Sequence, residues 1–479
     1  MQEGFRTDIP ARLDRLRWSR FHTLLVLALG TGWVIDGLEV TLVGSLAAVL
    51  TLPTTLNLTP AQIGETAAAY VVGAVIGSLV FGALADRYGR RRLFFITLGV
   101  YAVAAAASGM VSSYWPFVLT RFFTGAGIGG EYAAINSAIQ EFIPARLRGR
   151  VDLAVNGSFW VGAAFGAIGA TVVLDTTLVP EAWGWRLAFI IGGALALIVM
   201  AMRRFIPESP RWLMVNGRQD EAEAIVRRIE QQAGTRDDTP IMPPLTLFRQ
   251  PPATWWTMLI VLARRYPRRT VLGLTLMAAQ AFLYNAIFFT YALILTRYYD
   301  VDARSVGLYL VPFAVGNVLG PLLLGPLFDL WGRRVMITST YAITGVLILA
   351  TGQLFVNGML DATTQTIAWS IVFFFASAAA SSAYLTVSEV FPLEVRARAI
   401  AWFYSVATAL GGISGPLIFG HLIASGARIE VFWGYALGGG LMLIGAIVAW
   451  RTAVAAERRP LEAVAAPLSA LLAETRHRA

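Results

Sequence analysis

The chain contains no cysteine, and none of its 38 basic residues is a lysine: all are arginine. Without cysteine there is no disulfide framework, no iron–sulfur cluster and no thiolate zinc site. Without lysine there is neither Schiff-base chemistry nor a phosphate-binding P-loop, each of which needs the amine. Histidine is scarce too. His22, His421 and His477 lie far apart in the sequence, so no histidine metal cluster is expected. Charge is the third shortage: 14% of residues are charged and 57% are hydrophobic, whereas soluble chains carry about 25% charged residues. By length, 479 residues would make roughly three soluble domains, but so little charge cannot cover three soluble surfaces. A mean hydropathy of +0.63 leaves an integral membrane protein.

What the chain does have is a succession of long apolar stretches: 22–50, 62–85, 92–111, 114–140, 149–173 and 185–205, then 270–297, 304–328, 334–356, 364–390, 397–424 and 431–451. A helix of roughly 20 residues crosses the hydrocarbon core of a bilayer. The expected fold is therefore all-α, with twelve transmembrane helices in two six-helix bundles. The first stretch holds Asp36 and Glu39 and is too long for a cleaved signal peptide. An even number of crossings puts both termini on one side, and 33 of the 38 arginines fall on that side. The positive-inside rule then predicts cytoplasmic termini in a multi-pass protein of the cell (inner) membrane. The net charge of +9 follows from this topology. Arginines scattered over loops make no compact basic domain, so nucleic acid is not an expected partner.

These stretches divide the chain into an N-terminal cytoplasmic segment (1–21), a first bundle (22–205), a cytoplasmic linker (206–269), a second bundle (270–452) and a cytoplasmic tail (453–479). In the linker, Ala222, Ile225, Val226 and Ile229 recur at helical spacing, which predicts a short amphipathic helix. Prolines at 240, 243, 244, 251 and 252 argue against regular structure after it.

The two halves repeat each other. Gly73, Gly77, Gly82, Asp86, Gly89, Arg90 and Arg91 recur as Gly316, Gly320, Gly325, Asp329, Gly332, Arg333 and Arg334 at an offset of 243. Glu141, Pro144, Arg148 and Arg150 recur as Glu389, Pro392, Arg396 and Arg398 at an offset of 248. Two independent motifs at nearly one spacing identify a duplicated six-span unit. Parallel repeats of this kind place a substrate site between the halves near the bilayer midplane.

The stretch Gly82-Ala83-Leu84-Ala85-Asp86-Arg87-Tyr88-Gly89-Arg90-Arg91 resembles the loop signature of the major facilitator superfamily. Arg121 to Glu131, Pro207 to Leu213 and Glu389 to Arg396 resemble its sugar-porter-like and metabolite:proton symporter branch. The resemblance implies a transporter working by alternating access. It also implies conformational latches at Gly82, Asp86, Gly89, Arg90, Arg91, Glu141 and Arg148, and at Asp329, Gly332, Arg333, Glu389 and Arg396. Arg90 and Arg91 would pair with Glu141, and Arg333 with Glu389. Asp86 would face the positive end of a neighbouring helix.

Ionisable groups inside spans are functional candidates, because charge at that depth costs several kcal/mol unless paired or wet. Asp36 and Glu39, three apart, share one helical face. Arg121 sits about 10 Å down the fourth span, at a depth that overlaps theirs. Asp36, Glu39 and Arg121 could carry a proton, with Glu131 a second candidate; a permanently ionised packing pair is the plainer alternative. Glu65 and Asp152, near span ends, read as interfacial.

At the positions where sugar porters carry two glutamines, a glycine and an asparagine, the seventh span here has Ala279, Gln280, Leu283 and Asn285. The Pro-Trp pair of their tenth span is Ala383-Tyr384 here. Hexose loses directional hydrogen bonds by these changes. Asn156, Trp160, Gln280, Tyr284, Asn285 and Tyr384, with Phe288 and with Arg121 as a carboxylate holder, suit an organic or aromatic acid or a similar metabolite. The expectation is a secondary active transporter of such a solute, coupled to protons and acting as a monomer. An uncoupled facilitator, a sugar porter, an exporter and a non-transporting nutrient sensor are the alternatives. No enzyme constellation, metal site or cofactor motif is found.

Overall fold

The computed structural model describes residues 4–50, 53–58, 60–174, 177–234, 245–248, 254–301, 306–392 and 394–468. Among them, ten helices are long and apolar enough to cross a membrane. Two further elements complete the twelve-helix fold. Tyr114–Phe142 is long, but it carries Arg121, Glu131, Asn136 and Gln140 along its length. The stretch from Arg396 to Ala424 is interrupted by a π-turn at Thr408–Gly412. In chain order, spans 1 to 6 are Arg20–Leu50, Pro60–Tyr88, Arg90–Ser108, Tyr114–Phe142, the pair Arg148–Gly157 and Phe159–Val173, and Glu181–Arg203. Spans 7 to 12 are Pro267–Tyr299, Val306–Leu330, Arg333–Val356, Ala362–Glu389, the interrupted Arg396 to Ala424 stretch, and Arg428–Thr452.

These helices are apolar on their outer faces as well as inside. Leu27, Val103, Ile168, Leu197, Leu323, Val346 and Trp433 are all exposed, which is the pattern of a surface bathed in lipid. Small residues let helices approach at backbone distance. Gly73 and Gly77 of span 2 lie against the carbonyls of Phe122 and Ala126 of span 4, while Gly125 and Gly129 of span 4 lie against those of Tyr70 and Ala74. The second half repeats the crossing, with Gly316 and Gly320 of span 8 against Ser370 and Phe374 of span 10. A methyl group at any of these glycines would meet backbone.

The repeated turns match as well. Gly89 opens span 3 at φ 91° and Gly332 opens span 9 at φ 95°, a left-handed conformation that only glycine adopts without strain. The halves meet through span 2 with span 11 and span 5 with span 8, and through spans 4 and 10. At the arginine-rich end, helices Ile9–Asp14, Pro210–Val215 and Gln219–Ala233 cover the bundles. One element departs from expectation. Leu245–Phe248, inside the proline-rich stretch, pairs antiparallel with Gly4–Thr7. Four residues between prolines suffice, because a two-stranded ladder asks nothing of the residues beyond it.

Candidate functional site

The latch residues converge at the arginine-rich end. Arg90 pairs with Glu141 at 3.1 Å, and its Nε donates to Ser137 at 3.3 Å. Arg91 is exposed; among the described residues its backbone N–H alone takes part, donating to Glu208 at 3.3 Å beside the Arg90 N–H at 2.8 Å. Glu208 thus caps the start of span 3, directly in front of Gly89. Burial pushes its carboxyl up from the ordinary value, against the pull of the Ser209 and Arg90 N–H groups and of the Arg90 charge. Glu457 caps span 9 in the same way, accepting from the Arg333 N–H at 3.2 Å in front of Gly332.

In the second half, Arg333 donates to both oxygens of Glu389 at 2.9 and 3.0 Å and to Asp329 at 2.9 Å. Asp329 also crosses between the halves: the backbone N–H groups of Gly149 and Arg150, at the start of span 5, donate to it at 3.2 and 2.9 Å. That is a carboxylate on a helix N-terminus, where dipole and free donors both favour negative charge. The side chain of Asp86, its counterpart, lies outside the described residues; Gly82 is buried one turn before it. Arg148 pairs with Asp14 at 3.2 Å and donates to the Arg459 carbonyl at 3.3 Å. Arg396 donates to the Phe391 carbonyl at 3.1 Å. Further bonds join the halves at this end, from Gln140 to Ser388 at 2.8 Å and from Arg398 to the Ala83 carbonyl at 3.1 Å. The arginine-rich end is closed.

Inside the first bundle, Glu39 and Arg121 form a buried ion pair at 2.5 Å, with the Tyr101 hydroxyl donating to Glu39 at 3.4 Å. Arg121 also lies over the rings of Tyr70 and Phe189. Glu131 pairs with Arg203 at the end of span 6. Asp36 lies between these pairs, 1% exposed, and neither of its oxygens has a hydrogen-bond partner among the described residues. Asp152 is not interfacial: it is fully buried and accepts from Gln140 at 3.2 Å and from Asn156 at 3.1 Å. The neutral amides of spans 4 and 5 satisfy it where the bundles meet. Glu65 is exposed and accepts from the Tyr114 hydroxyl.

At mid-depth an aromatic platform joins the halves. Trp33 stacks on Tyr132 at 4.6 Å and meets Tyr384 edge-on at 5.7 Å; Tyr132 meets Tyr404 at 4.7 Å; Trp160 faces Tyr284 at 5.7 Å. The Tyr284 hydroxyl donates to Asn317 at 2.7 Å, and Gln280 lies within hydrogen-bonding reach of Tyr384. Asn285 is turned back on its own helix, donating to the Ala281 carbonyl at 2.7 Å. Asn156 likewise belongs to the Asp152 network rather than to the platform. Phe288 lies outside the described side chains.

A family model for sugar (and other) transporters matches residues 42–467. The chain belongs to that family. Among its relatives, the niacin transporter NiaP of Acinetobacter baylyi is 28% identical over 427 residues, covering 87% of this chain and 91% of that one. The inner membrane metabolite transport protein YgcS of Escherichia coli is 25% identical over 460 residues, covering 95% and 96%. The 4-hydroxybenzoate transporter PcaK of Acinetobacter baylyi is 25% identical over 429 residues, covering 87% and 88%. The proton:xylose symporter XylE, solved with 6-bromo-6-deoxy-D-glucose, superposes with a TM-score of 0.75 at 19% identity over 93% of this chain and 99% of that one. The chain therefore has the major facilitator fold and is a membrane transporter of small organic solutes.

Within that family fold, several site residues escape sequence reading. Trp33, Tyr132 and Tyr404 meet across spans 1, 4 and 11, and nothing in their spacing separates them from packing aromatics. Arg203, at a span end, reads as one more topology charge. Glu208 and Glu457 had a signal: each stands in a polar segment directly after a bundle's sixth span.

Proposed function

We propose that the chain is a proton-coupled symporter of a small planar aromatic acid, seen here closed toward the cytoplasm. The arginine-rich end, with both termini, is the cytoplasmic one, as the positive-inside rule requires. The observation that carries the solute reading is the platform of Trp33, Tyr132, Trp160, Tyr284, Tyr384 and Tyr404, built from both halves. Flat aromatic faces at mid-depth favour a flat aromatic solute by offset stacking. Gln280, Tyr284 and Tyr384 supply polar contacts at its edge. The names of the niacin and 4-hydroxybenzoate relatives point the same way. A single chain contributes both walls, so a monomer suffices.

The coupling groups are Asp36, Glu39, Arg121 and Glu131. Protonating Glu39 releases Arg121, which can then hold the solute carboxylate; losing the proton restores the pair. Proteoliposomes given an inward proton gradient and labelled nicotinate or 4-hydroxybenzoate test this. Accumulation above equilibrium, collapsed by a protonophore, is the expected outcome. Uptake that only equilibrates would leave a facilitator in its place.

A further inference from the structure

In the middle of the first bundle, three buried acids face two arginines. Glu39 takes Arg121 and Glu131 takes Arg203, which leaves Asp36 as the surplus acid. A lone buried carboxylate is costly unless it holds a proton. Asp36 is not remote from the inner pair. Its electrostatic neighbours are Glu131, Arg203 and Glu39. Gly32, one helical turn before Asp36 on the same face, lies directly against the Arg203 guanidinium and the Glu131 carboxylate. A turn of helix is about 5.4 Å, within the swing of an arginine fork. No side chain at position 32 stands between.

Arg203 is fully buried, its guanidinium set among span 1, span 3 and Glu131. Its Nε reaches the Ala28 carbonyl at 3.4 Å and its guanidinium lies 4.6 Å from the Phe94 ring. Its two terminal nitrogens have no hydrogen-bond partner of good geometry among the described residues, although one is in ionic contact with Glu131. A guanidinium offers five donors, and the Ala28 carbonyl and Glu131 do not use all of them.

We propose that Glu131 and Arg203 form a second proton station on the cytoplasmic side of Asp36. The inference rests on the symport reading above and adds Arg203 to it as a positioning residue. With the cytoplasmic end closed, Asp36 holds the proton and Arg203 holds Glu131 as carboxylate. When that end opens, the O–H bond on Asp36 breaks, one forms on Glu131, and Arg203 shifts its pairing from Glu131 to Asp36. Charge is conserved at each step, and Glu131 then releases its proton to water at the open face. Among the described residues, the other groups that face this path are Tyr70 of span 2, Tyr101 of span 3, Arg121 and Tyr132 of span 4 and Tyr404 of span 11.

The test compares proton and solute flux in proteoliposomes holding a pH dye, with nicotinate as the probe and 4-hydroxybenzoate where nicotinate is not carried. Glu131→Gln combined with Arg203→Gln replaces the ion pair by a neutral pair of similar size. The expected result is solute movement down its own gradient with the proton-to-solute ratio reduced to near zero. Glu131→Asp, which keeps a proton acceptor, restores the ratio, and Glu131→Gln alone does not; that single-site comparison also decides the matter if the double variant does not fold. A wild-type ratio in the neutral pair, or equal ratios in Glu131→Asp and Glu131→Gln, overturns the proposal and leaves symport standing. A wild-type chain that moves the acid without protons overturns both.

Discussion

Ser78 of span 2 and Ser405 of span 11 share a hydrogen bond of 2.5 Å across the boundary between the halves. One serine donates to the other, and the proton of the second is free for a carbonyl of the opposite helix, with Ala401 3.4 Å from Ser78 and Val75 3.2 Å from Ser405. The two helices therefore touch at the level where an alternating-access transporter must part them. Because the chain has no cysteine of its own, Ser78→Cys with Ser405→Cys gives a single possible bridge. Oxidation should stop solute turnover and reduction should restore it. Turnover that continues with the bridge formed would mean that the halves do not separate here.

Asp329 is the second point of closure, and the only one of the repeated aspartates whose side chain is described. It accepts two backbone N–H groups from the other half while holding Arg333. Hydrogen bonds to a charged group contribute about 1.5–3 kcal/mol, which corresponds to roughly a ten- to hundredfold change in an equilibrium. Asp329→Ala should therefore shift the chain toward the state open at the arginine-rich end. A lone cysteine replacing Ala401, buried in the closed interface, reports this as faster thiol labelling. Unchanged labelling would show that the closed state does not depend on Asp329.

How much of this is legible in the sequence depends on periodicity. The twelve spans, the glycine crossings and the Arg333–Glu389 pair recur at fixed offsets, so the repeat makes them visible without coordinates. The Glu131–Arg203 pair has no repeat to announce it: it joins residues 72 apart from two spans of one bundle, and each alone reads as a routine charge. Arg91 misleads for the opposite reason. It stands next to Arg90 in the motif, yet adjacent residues on a helix point about 100° apart, so only one of the two can face Glu141. Asp152 looks interfacial by position but is buried, because Gln140 and Asn156 supply hydrogen bonds that hydropathy does not register.

The aromatic platform is expected to set affinity. Trp33 touches Tyr132 and Tyr384, one ring from each half. An aromatic contact contributes about 0.5–1.5 kcal/mol beyond its area, so Trp33→Leu should raise the half-saturation concentration by roughly two- to twelvefold. Maximal rate should change less. An unaltered concentration dependence would place the solute elsewhere.

Glu39→Gln removes one partner of a fully buried pair. Arg121 then has no carboxylate to return to, and gradient-driven accumulation should be lost whatever the external pH. Counterflow of labelled solute is the complementary measurement, since it needs no net proton movement. Accumulation as in the wild type would remove Glu39 from the coupling path.

The tail offers a pH test outside the membrane spans. Burial disfavours the charged form of Glu462, but Arg211 at 2.8 Å, a backbone N–H and the charge of Arg396 together outweigh it and hold the carboxyl below its ordinary value. A depressed folded value means that docking is favoured above the ordinary glutamate range, about 4.3, and is lost as the pH falls through the folded value. Leu461, Val464 and Ala465 are buried beside it, so release of Glu462 should expose them together. Protection of the 461–465 amides relative to their intrinsic exchange should therefore fall at acid pH, and Glu462→Gln should show the lower protection already at neutral pH. Arg211 is also within 3.9 Å of Asp14 in the N-terminal helix, so the same variant should loosen residues 9–14, whereas loosening of the tail alone would mean that the two ends of the chain dock on Arg211 independently.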